Sequence, residues 1–315
     1  MNKLVGILLV VYNEKHNLSL LLNSLKRQTH QNFIIYFIDN GSSDNSIEFA
    51  KELNTQLKLQ IKYFPQKENT GFAGGNNIAA KEASKDNCDY MFILNNDTEL
   101  DNECIKELID LLESDKRIGV AGPILFFWNK EKSLNQVQFY GAKVDFNKYK
   151  VIENYSGKVF EDIKDSLPIK LYVDHVPGGA TFIPMVLYRQ IGLWDERYFI
   201  YGDEIDLSRR VLGTGLRLAV SYQAKVWHNH KFLTKNKKAY YLEYYLIARN
   251  KFIYYYKYKL YGRIIIGFII DMIRFPFKLF WFKKVCDWKL GLFYFKGIIA
   301  GILNHSGKPN FLFNK

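Results

Sequence analysis

MFILNNDTEL, residues 91–100, carries the reading of the fold. Met91 to Leu94 are all apolar, as in a short strand covered on both faces. They run straight into Asn95, Asn96 and Asp97. A carboxylate at the tip of a buried strand has two readings. It caps a turn through backbone amides, or it serves a metal or nucleotide at the mouth of an α/β sheet, where such sheets bind ligands.

The segments upstream decide the class. Val5 to Val11 is a continuous apolar run, a first strand. Leu18, Leu21, Leu22 and Leu25 recur at i, i+3, i+4, i+7, one face of a helix. Phe33 to Ile38 reads as a second strand. Ser43 or Asp44 is placed to cap a helix through Leu53. Leu57 to Phe64 reads as a third strand, Gly74 to Lys85 as a helix and Tyr90 to Leu94 as the fourth strand. Asp101 then precedes a helix whose face is Ile105, Leu108, Ile109 and Leu112. This β-α alternation predicts a mainly parallel sheet with right-handed crossovers. All four strands end in small, polar or acidic residues: VYNE (11–14), DNGSSD (39–44), NTGFAGGNN (69–77) and NND (95–97). Four such ends along one sheet edge predict a nucleotide pocket. The glycines match neither GxGxxG nor GxxxxGK[ST], which weakens dehydrogenase and P-loop NTPase readings.

Bulk properties set limits. The chain has 315 residues, 48% of them hydrophobic, enough for one large domain or a domain with an appendage. Cys88, Cys104 and Cys286 match neither a zinc site nor a disulfide framework, which favours a reducing, cytoplasmic setting. The run Val5 to Val11 is shorter than most signal-peptide cores and lacks a small-residue cleavage site. The net charge of +12 is unevenly spread. Residues 231–315 hold 17 Lys and Arg against 3 Asp and Glu, net +14, while the first 230 hold 27 against 29, net −2.

The second half is less regular. Residues 126–171 mix weak alternation with turns and suggest no chemistry. VDHVPGGATFIP (173–184) breaks a strand at Pro-Gly-Gly. GLWDERYFIYGDEIDLSRR (192–210) gathers Asp195, Glu196, Asp203, Glu204 and Asp206. Acids in the first turn of a helix starting near Asp203 would also suit the helix dipole. AKVWHNH (224–230) puts His228 and His230 after a short apolar strand, pointing the same way.

Together VVYNE, IDNGSSDNS, ENTGFAGGNN, FILNNDTEL, VPGGATFI, IGLWDERYFIYGDEIDL and a histidine after a short strand resemble family 2 inverting glycosyltransferases of GT-A fold. The resemblance is greatest to the rhamnosyltransferase-like branch that builds bacterial cell-surface polysaccharides. YYLEYYLIARNKFIYYYK (240–257) is similar to the helix that follows the catalytic domain in that branch. The resemblance implies a catalytic domain over 1–230, with a nucleotide-binding half over 1–125 and an acceptor half over 126–230. It implies that Val11, Tyr12, Asn13 and Glu14 line the base and ribose pocket and that Asp39 binds the nucleobase or ribose. Asn69, Gly71, Phe72 and Asn77 would close over the nucleoside. Asn95, Asn96 and Asp97 stand at the DXD-like motif, with Asp97 and His228 as ligands of Mg²⁺ or Mn²⁺ on the diphosphate. Gly178, Gly179, Trp194, Asp195 and Glu196 would shape the acceptor and sugar site. Asp203–Glu204 stand where the family usually has Glu-Asp, and position assigns the base to Glu204 with Asp203 as competitor. Two departures stand out: NND has an amide where the first acid is common, and the base pair is inverted. The implied sugar donor is dTDP-rhamnose first, then a UDP-hexose or UDP-N-acetylhexosamine, and the acceptor a glycan or lipid-linked glycan.

The tail, residues 231–315, interleaves Lys and Arg with aromatics and with apolar runs of about seven residues, short of the ~20 needed to span a bilayer. Asp271 and Arg274 interrupt the best candidate. This predicts helices lying in the interface of an anionic membrane, on the inner face of the plasma membrane. The competing reading is a helical subdomain packed on the core with a solvated basic face. So much Ile, Leu and Phe argues against nucleic acid as the partner, although a non-catalytic nucleotide- or nucleic-acid-binding protein is the alternative of another class. Oligomerisation is left open.

Overall fold

The computed structural model describes residues 3–128, 135–153, 155–229, 237–284 and 287–309, with backbone alone at 237 and 281–284. His230 and Cys286 lie outside them. Contacts divide the chain into two compact units. The first comprises Met1–Val144, Val151–Trp194 and Leu207–His230; the second comprises Asp145–Lys150, Asp195–Asp206 and Lys231–Lys315.

The first unit is built on a ten-stranded sheet. Its parallel half consists of β1 (Val5–Val11), β2 (Phe33–Asp39), β3 (Ile61–Pro65) and β4 (Tyr90–Leu94), ordered β4-β1-β2-β3. The intervening helices are α1 (Lys15–Lys26), α2 (Ser46–Leu57) and α3 (Gly71–Lys85), followed by β5 (Thr98–Leu100) and α4 (Cys104–Glu113). β1, β2 and β4 are buried along their lengths because helices cover both faces, which is why they read as unbroken apolar runs. Alternate residues feed two core layers. Val5, Ile7 and Leu9 pack with the leucines of α1 and with Ile105 and Leu108 of α4. Leu8, Ile38 and Ile93 pack with Ala73, Ala79, Ala80 and Ala83 of α3.

Beyond β4 the sheet becomes mixed. β6 (Ile118–Phe127) and β12 (Arg217–His228) are parallel, and β11 (Ala180–Pro184) lies antiparallel between β4 and β6. β7 (Val137–Phe139) and β10 (Lys170–Val173) add antiparallel edges to β6 and β12. β8 (Ala142–Asp145) and β9 (Lys150–Glu153) form a hairpin whose turn belongs to the second unit. The short α5 (Phe160–Ile163) and then α6 (Met185–Ile191) and α7 (Asp203–Leu212) complete the region. This is the expected GT-A architecture.

Two boundaries differ from the sequence reading, for local reasons. α2 runs on to Leu57 and β3 starts only at Ile61. Lys58 is left-handed at φ 53°, and the Asn54 amide satisfies both backbone groups of Leu59, so a cap occupies the expected strand start. α3 begins at Gly71 rather than Gly74. Its unpaired leading N–H groups are served by loop side chains: Asn69 Oδ1 accepts from Gly71 and Asn40 Oδ1 from Thr70.

The second unit contains α8 (Lys237–Lys257), α9 (Tyr261–Lys284) and α10 (Lys289–Ile302). No described helix is long and apolar enough to cross a membrane.

Candidate active site

The register of the parallel half aligns strand ends. Val11 pairs with Asp39, Asp39 with Pro65 and Leu9 with Leu94, so the four carboxyl ends share one edge. Along it the loops are stitched by amides. Asn13, left-handed at φ 55°, accepts through Oδ1 from the Ser43 N–H at 2.7 Å, and its own N–H donates to Ser42 Oγ at 3.0 Å. Asp39 Oδ1 accepts from the Ser42 N–H at 3.0 Å. Asn40, buried, donates to Asn69 Oδ1 and the Gly71 carbonyl and accepts from Thr70. Gly41 is left-handed, and a Cβ there would sit 3.0 Å from the Glu68 backbone, so only glycine lets the two loops close. Tyr12 stays 40% exposed above this edge.

Asp97 is positioned by a strand pairing that sequence reasoning did not find. β5 runs antiparallel to the end of β12, with Thr98 opposite His228. The Asn229 N–H donates to the Asp97 carbonyl at 2.6 Å, and His228 Nε2 lies 3.0 Å from Asp97 Oδ1. The other ring nitrogen, Nδ1, is 3.0 Å from Gln138 Oε1. With Nδ1 donating to Gln138, Nε2 and the carboxylate are two Lewis bases that share a cation, either a proton or a metal ion. The 3.0 Å spacing is that of an ordinary N–H···O hydrogen bond, and imidazole and carboxylate are also donor types that bind divalent cations. Among the described residues no group of three His, Cys, Asp or Glu side chains is gathered for a metal.

The asparagines build the turn. Asn95 donates its N–H to the Gly179 carbonyl at 2.8 Å, and Thr98 Oγ1 donates to the Asn95 carbonyl. Asn96 Nδ2 donates to the Val10 carbonyl at 3.2 Å. A Cβ on Gly179 would lie 2.8 Å from Asn95 Nδ2, so the Pro-Gly-Gly turn, with Gly178, leaves room for that amide. The amides therefore cap the turn, while Asp97 faces His228.

Glu14 borders the same edge. Its Oε2 accepts from Asn17 Nδ2 at 2.8 Å and lies 3.4 Å from His16. Burial raises its carboxyl above the ordinary range, His16 opposes this and the charge of Asp97 adds to it. Asn17 in turn accepts from Asn229 Nδ2. Asn77 is buried and tied to one turn: its Oδ1 accepts from the Trp194 N–H at 2.9 Å and its Nδ2 donates to the Trp194 carbonyl at 3.0 Å. Phe72 meets the Trp194 ring edge-on at 5.5 Å.

The acids Asp195, Glu196, Asp203 and Glu204 belong to the second unit. Asp195 is bound by Arg197 at 2.7 Å and Lys257 at 2.8 Å. Burial works against its charge, but these two cations hold its carboxyl well below the usual range. Lys257 also reaches Asp206 at 2.6 Å, and Tyr258 donates to Asp206 at 2.9 Å. Glu196 is exposed, its carbonyl accepting from Phe199. Asp203 is sealed from water. Burial, then Glu204 and Asp206, push its carboxyl far above the ordinary range. Glu204 is half-buried and accepts from the Gly202 N–H at 2.8 Å.

The loop before this pair is strained and clamped. Phe199 and Tyr201 have φ of 69° and 72°, rare for aromatic residues. Arg249, buried in α8, donates to the carbonyls of Arg197, Tyr198 and Gly307, while Asn250 donates to those of Tyr198, Ile200 and Tyr201. Burial lowers the Arg249 guanidinium to about 10. Gln138, Asn40, Arg249 and Asn250 had no assigned role in the sequence. Their one-dimensional signal is weak because their partners are 29 to 90 residues away or are backbone carbonyls.

Comparison with known proteins agrees with the architecture. Residues 7–173 match the profile of "Glycosyl transferase family 2". The poly-beta-1,6-N-acetyl-D-glucosamine synthase of Staphylococcus aureus is 25% identical over 226 residues, 71% of this chain and 49% of that protein. The low-salt glycan biosynthesis hexosyltransferase Agl10 of Haloferax volcanii is 25% identical over 199 residues, 61% of this chain and 57% of that protein. The teichoic acid poly(glycerol phosphate) polymerase of Staphylococcus epidermidis is 27% identical over 154 residues, 47% of this chain and 20% of that protein. The chain thus spans between a fifth and just over half of these relatives. Among solved structures, GalNAc-T7 with UDP, GalNAc and Mn²⁺ superposes with a TM-score of 0.60 at 15% identity, over 80% of this chain and 50% of that one. S. aureus TarS 1–349 with UDP superposes at 0.50 and 15% identity, over 79% and 65%. A matched profile over more than half the chain, on a sheet of this topology, makes the protein a member of glycosyl transferase family 2.

Proposed function

We propose that the chain transfers a sugar, with inversion, from a nucleoside-diphosphate donor to a glycan or lipid-linked glycan in cell-surface polysaccharide synthesis. The observation that carries this reading is the Asp97–His228 pair at the polar edge of a family 2 sheet. In this reading residues 1–230 form the catalytic domain, and Val11 to Glu14, Asp39, Asn69, Gly71 and Phe72 surround the nucleoside. Asn77 supports that pocket indirectly, through Trp194.

Asp97 and His228 would hold Mg²⁺ or Mn²⁺, with remaining ligands from the donor's phosphates and water. When bound, the cation neutralises charge on the departing diphosphate. Glu204 takes the proton of the acceptor hydroxyl: it is partly exposed and its carboxylate already accepts a hydrogen bond. Asp203 beside it is buried, and burial raises its carboxyl above the ordinary range. Gly178, Gly179, Trp194, Asp195 and Glu196 shape the sugar and acceptor site. The donor is assigned as dTDP-rhamnose from the overall resemblance to the rhamnosyltransferase-like branch alone. A UDP-N-acetylhexosamine or UDP-hexose is the second reading, favoured by the names of the relatives at 25% identity.

A thermal-shift screen of nucleotide sugars with Mg²⁺ and Mn²⁺, followed by a transfer assay, tests the assignment. The largest shift is expected for dTDP-rhamnose with metal, and a larger one for a UDP-sugar would replace the donor. Asp97→Ala should weaken donor affinity by about tenfold or more, as loss of a charged contact does. Unchanged affinity with and without metal would remove Asp97 from the site.

A further inference from the structure

Helix α9 is built inside out. Its charged residues Asp271 and Lys278 face the second unit's interior: Asp271 is buried against Lys251 at 2.5 Å and Tyr294 at 3.1 Å, and Lys278 lies 3.7 Å over the Tyr294 ring. Gly267 and Phe275 share that face, against Tyr255 and Phe295. The opposite face carries Ile265, Ile266, Ile269, Ile270, Ile273 and Phe277, exposed by 40 to 74%. Their spacing, i, i+1, i+4, i+5, i+8, i+12, is one continuous stripe three turns long. A water-facing helix places these groups the other way round, because each exposed large apolar side chain forgoes burial.

We propose that this stripe is a membrane-docking face that lies in the interface of an anionic bilayer. Lipid rather than a second copy of the chain is the occupant because residues 231–315 carry a net charge of +14. Two such surfaces brought together repel, whereas anionic headgroups attract both. Arg274 is exposed at the margin of the stripe, and Trp288, also exposed, precedes α10. These are the residue types that sit at headgroup depth. α9 is not apolar enough to cross a membrane, so it lies in the interface rather than spanning it. The inference deepens the reading of a lipid-linked acceptor, but it requires no transfer activity and can fail while that reading stands.

Flotation of the full chain with phosphatidylglycerol-containing and with pure phosphatidylcholine vesicles tests it, alongside analytical ultracentrifugation. The native chain should float with anionic vesicles, less with neutral ones, and sediment as a species whose mass the stripe substitutions leave unchanged. Ile273→Asp with Phe277→Asp should lower the partition coefficient roughly tenfold or more, since two buried apolar side chains are lost. Should that pair lose helical circular dichroism, Ile269→Asn carries the same test with a smaller drop. Flotation unchanged by these substitutions overturns the proposal. So does a dimer that the same substitutions dissociate, which would make a second copy the occupant.

Discussion

At Asp203 and Glu204, adjacent residues receive opposite environments. Asp203 is sealed from water beside Glu204, whereas Glu204 is half-buried and accepts a backbone hydrogen bond. Glu204→Gln should therefore reduce transfer by about 10²–10⁴-fold while donor affinity by calorimetry stays unchanged; full activity in this variant would move the base elsewhere. Asp203 should report itself in stability. Its carboxyl is raised in the folded state, so the folded chain binds more protons than the unfolded one above pH 3.8, and stability falls as pH rises through that window. The slope from one such group reaches about 1.4 kcal/mol per pH unit. Denaturant titrations from acid to neutral pH should show that Asp203→Asn removes this slope and is the more stable form at neutral pH. A parallel pair of stability curves would contradict the burial of that group.

At the scale of elements, the Arg249–Asn250 step of α8 holds the loop 197–201 in a conformation its own residues disfavour. Two left-handed aromatic residues cost about 1–3 kcal/mol each, and six donated hydrogen bonds from α8, five of them into this loop, offset that cost. Asn250→Ala leaves three carbonyls without that donor and should destabilise the chain by about 2–4 kcal/mol. Transfer should fall more than donor affinity, because Glu204 follows this loop while the residues around Asp97 lie in the first unit. Equal losses in kcat and in donor binding would instead indicate general unfolding. The helix around YYLEYYLIARN was legible from the sequence, but its task was not, since main-chain carbonyls leave no trace in residue identity.

For the whole molecule, charge and apolar surface act together. The first 230 residues are nearly neutral and the remainder strongly basic. Basic charge alone would bind nucleic acid as readily as lipid, but an outward row of isoleucines gains nothing from phosphates and bases. Gel-shift titration with single-stranded RNA at about 0.15 M salt, where unsupported surface charge is screened within about 8 Å, should show no complex. A saturable shift there would redirect the tail to nucleic acid.

The sequence by itself determined the β-α alternation, the polar strand ends, the choice of Asp97 as the acid at the fourth strand and the asymmetry of charge. Each is written in local patterns: apolar runs, helical spacing and composition. Tertiary structure alone decided that Thr98 pairs with His228 and so brings Asp97 to an imidazole 131 residues away. It also decided that Gln138 holds that ring, that Asp203 rather than Glu204 is sealed, and that α9 turns Asp271 and Lys278 inward and its isoleucine stripe out. These depend on which surfaces meet, and strand register and helix rotation are set by packing across the fold rather than by neighbours in the chain.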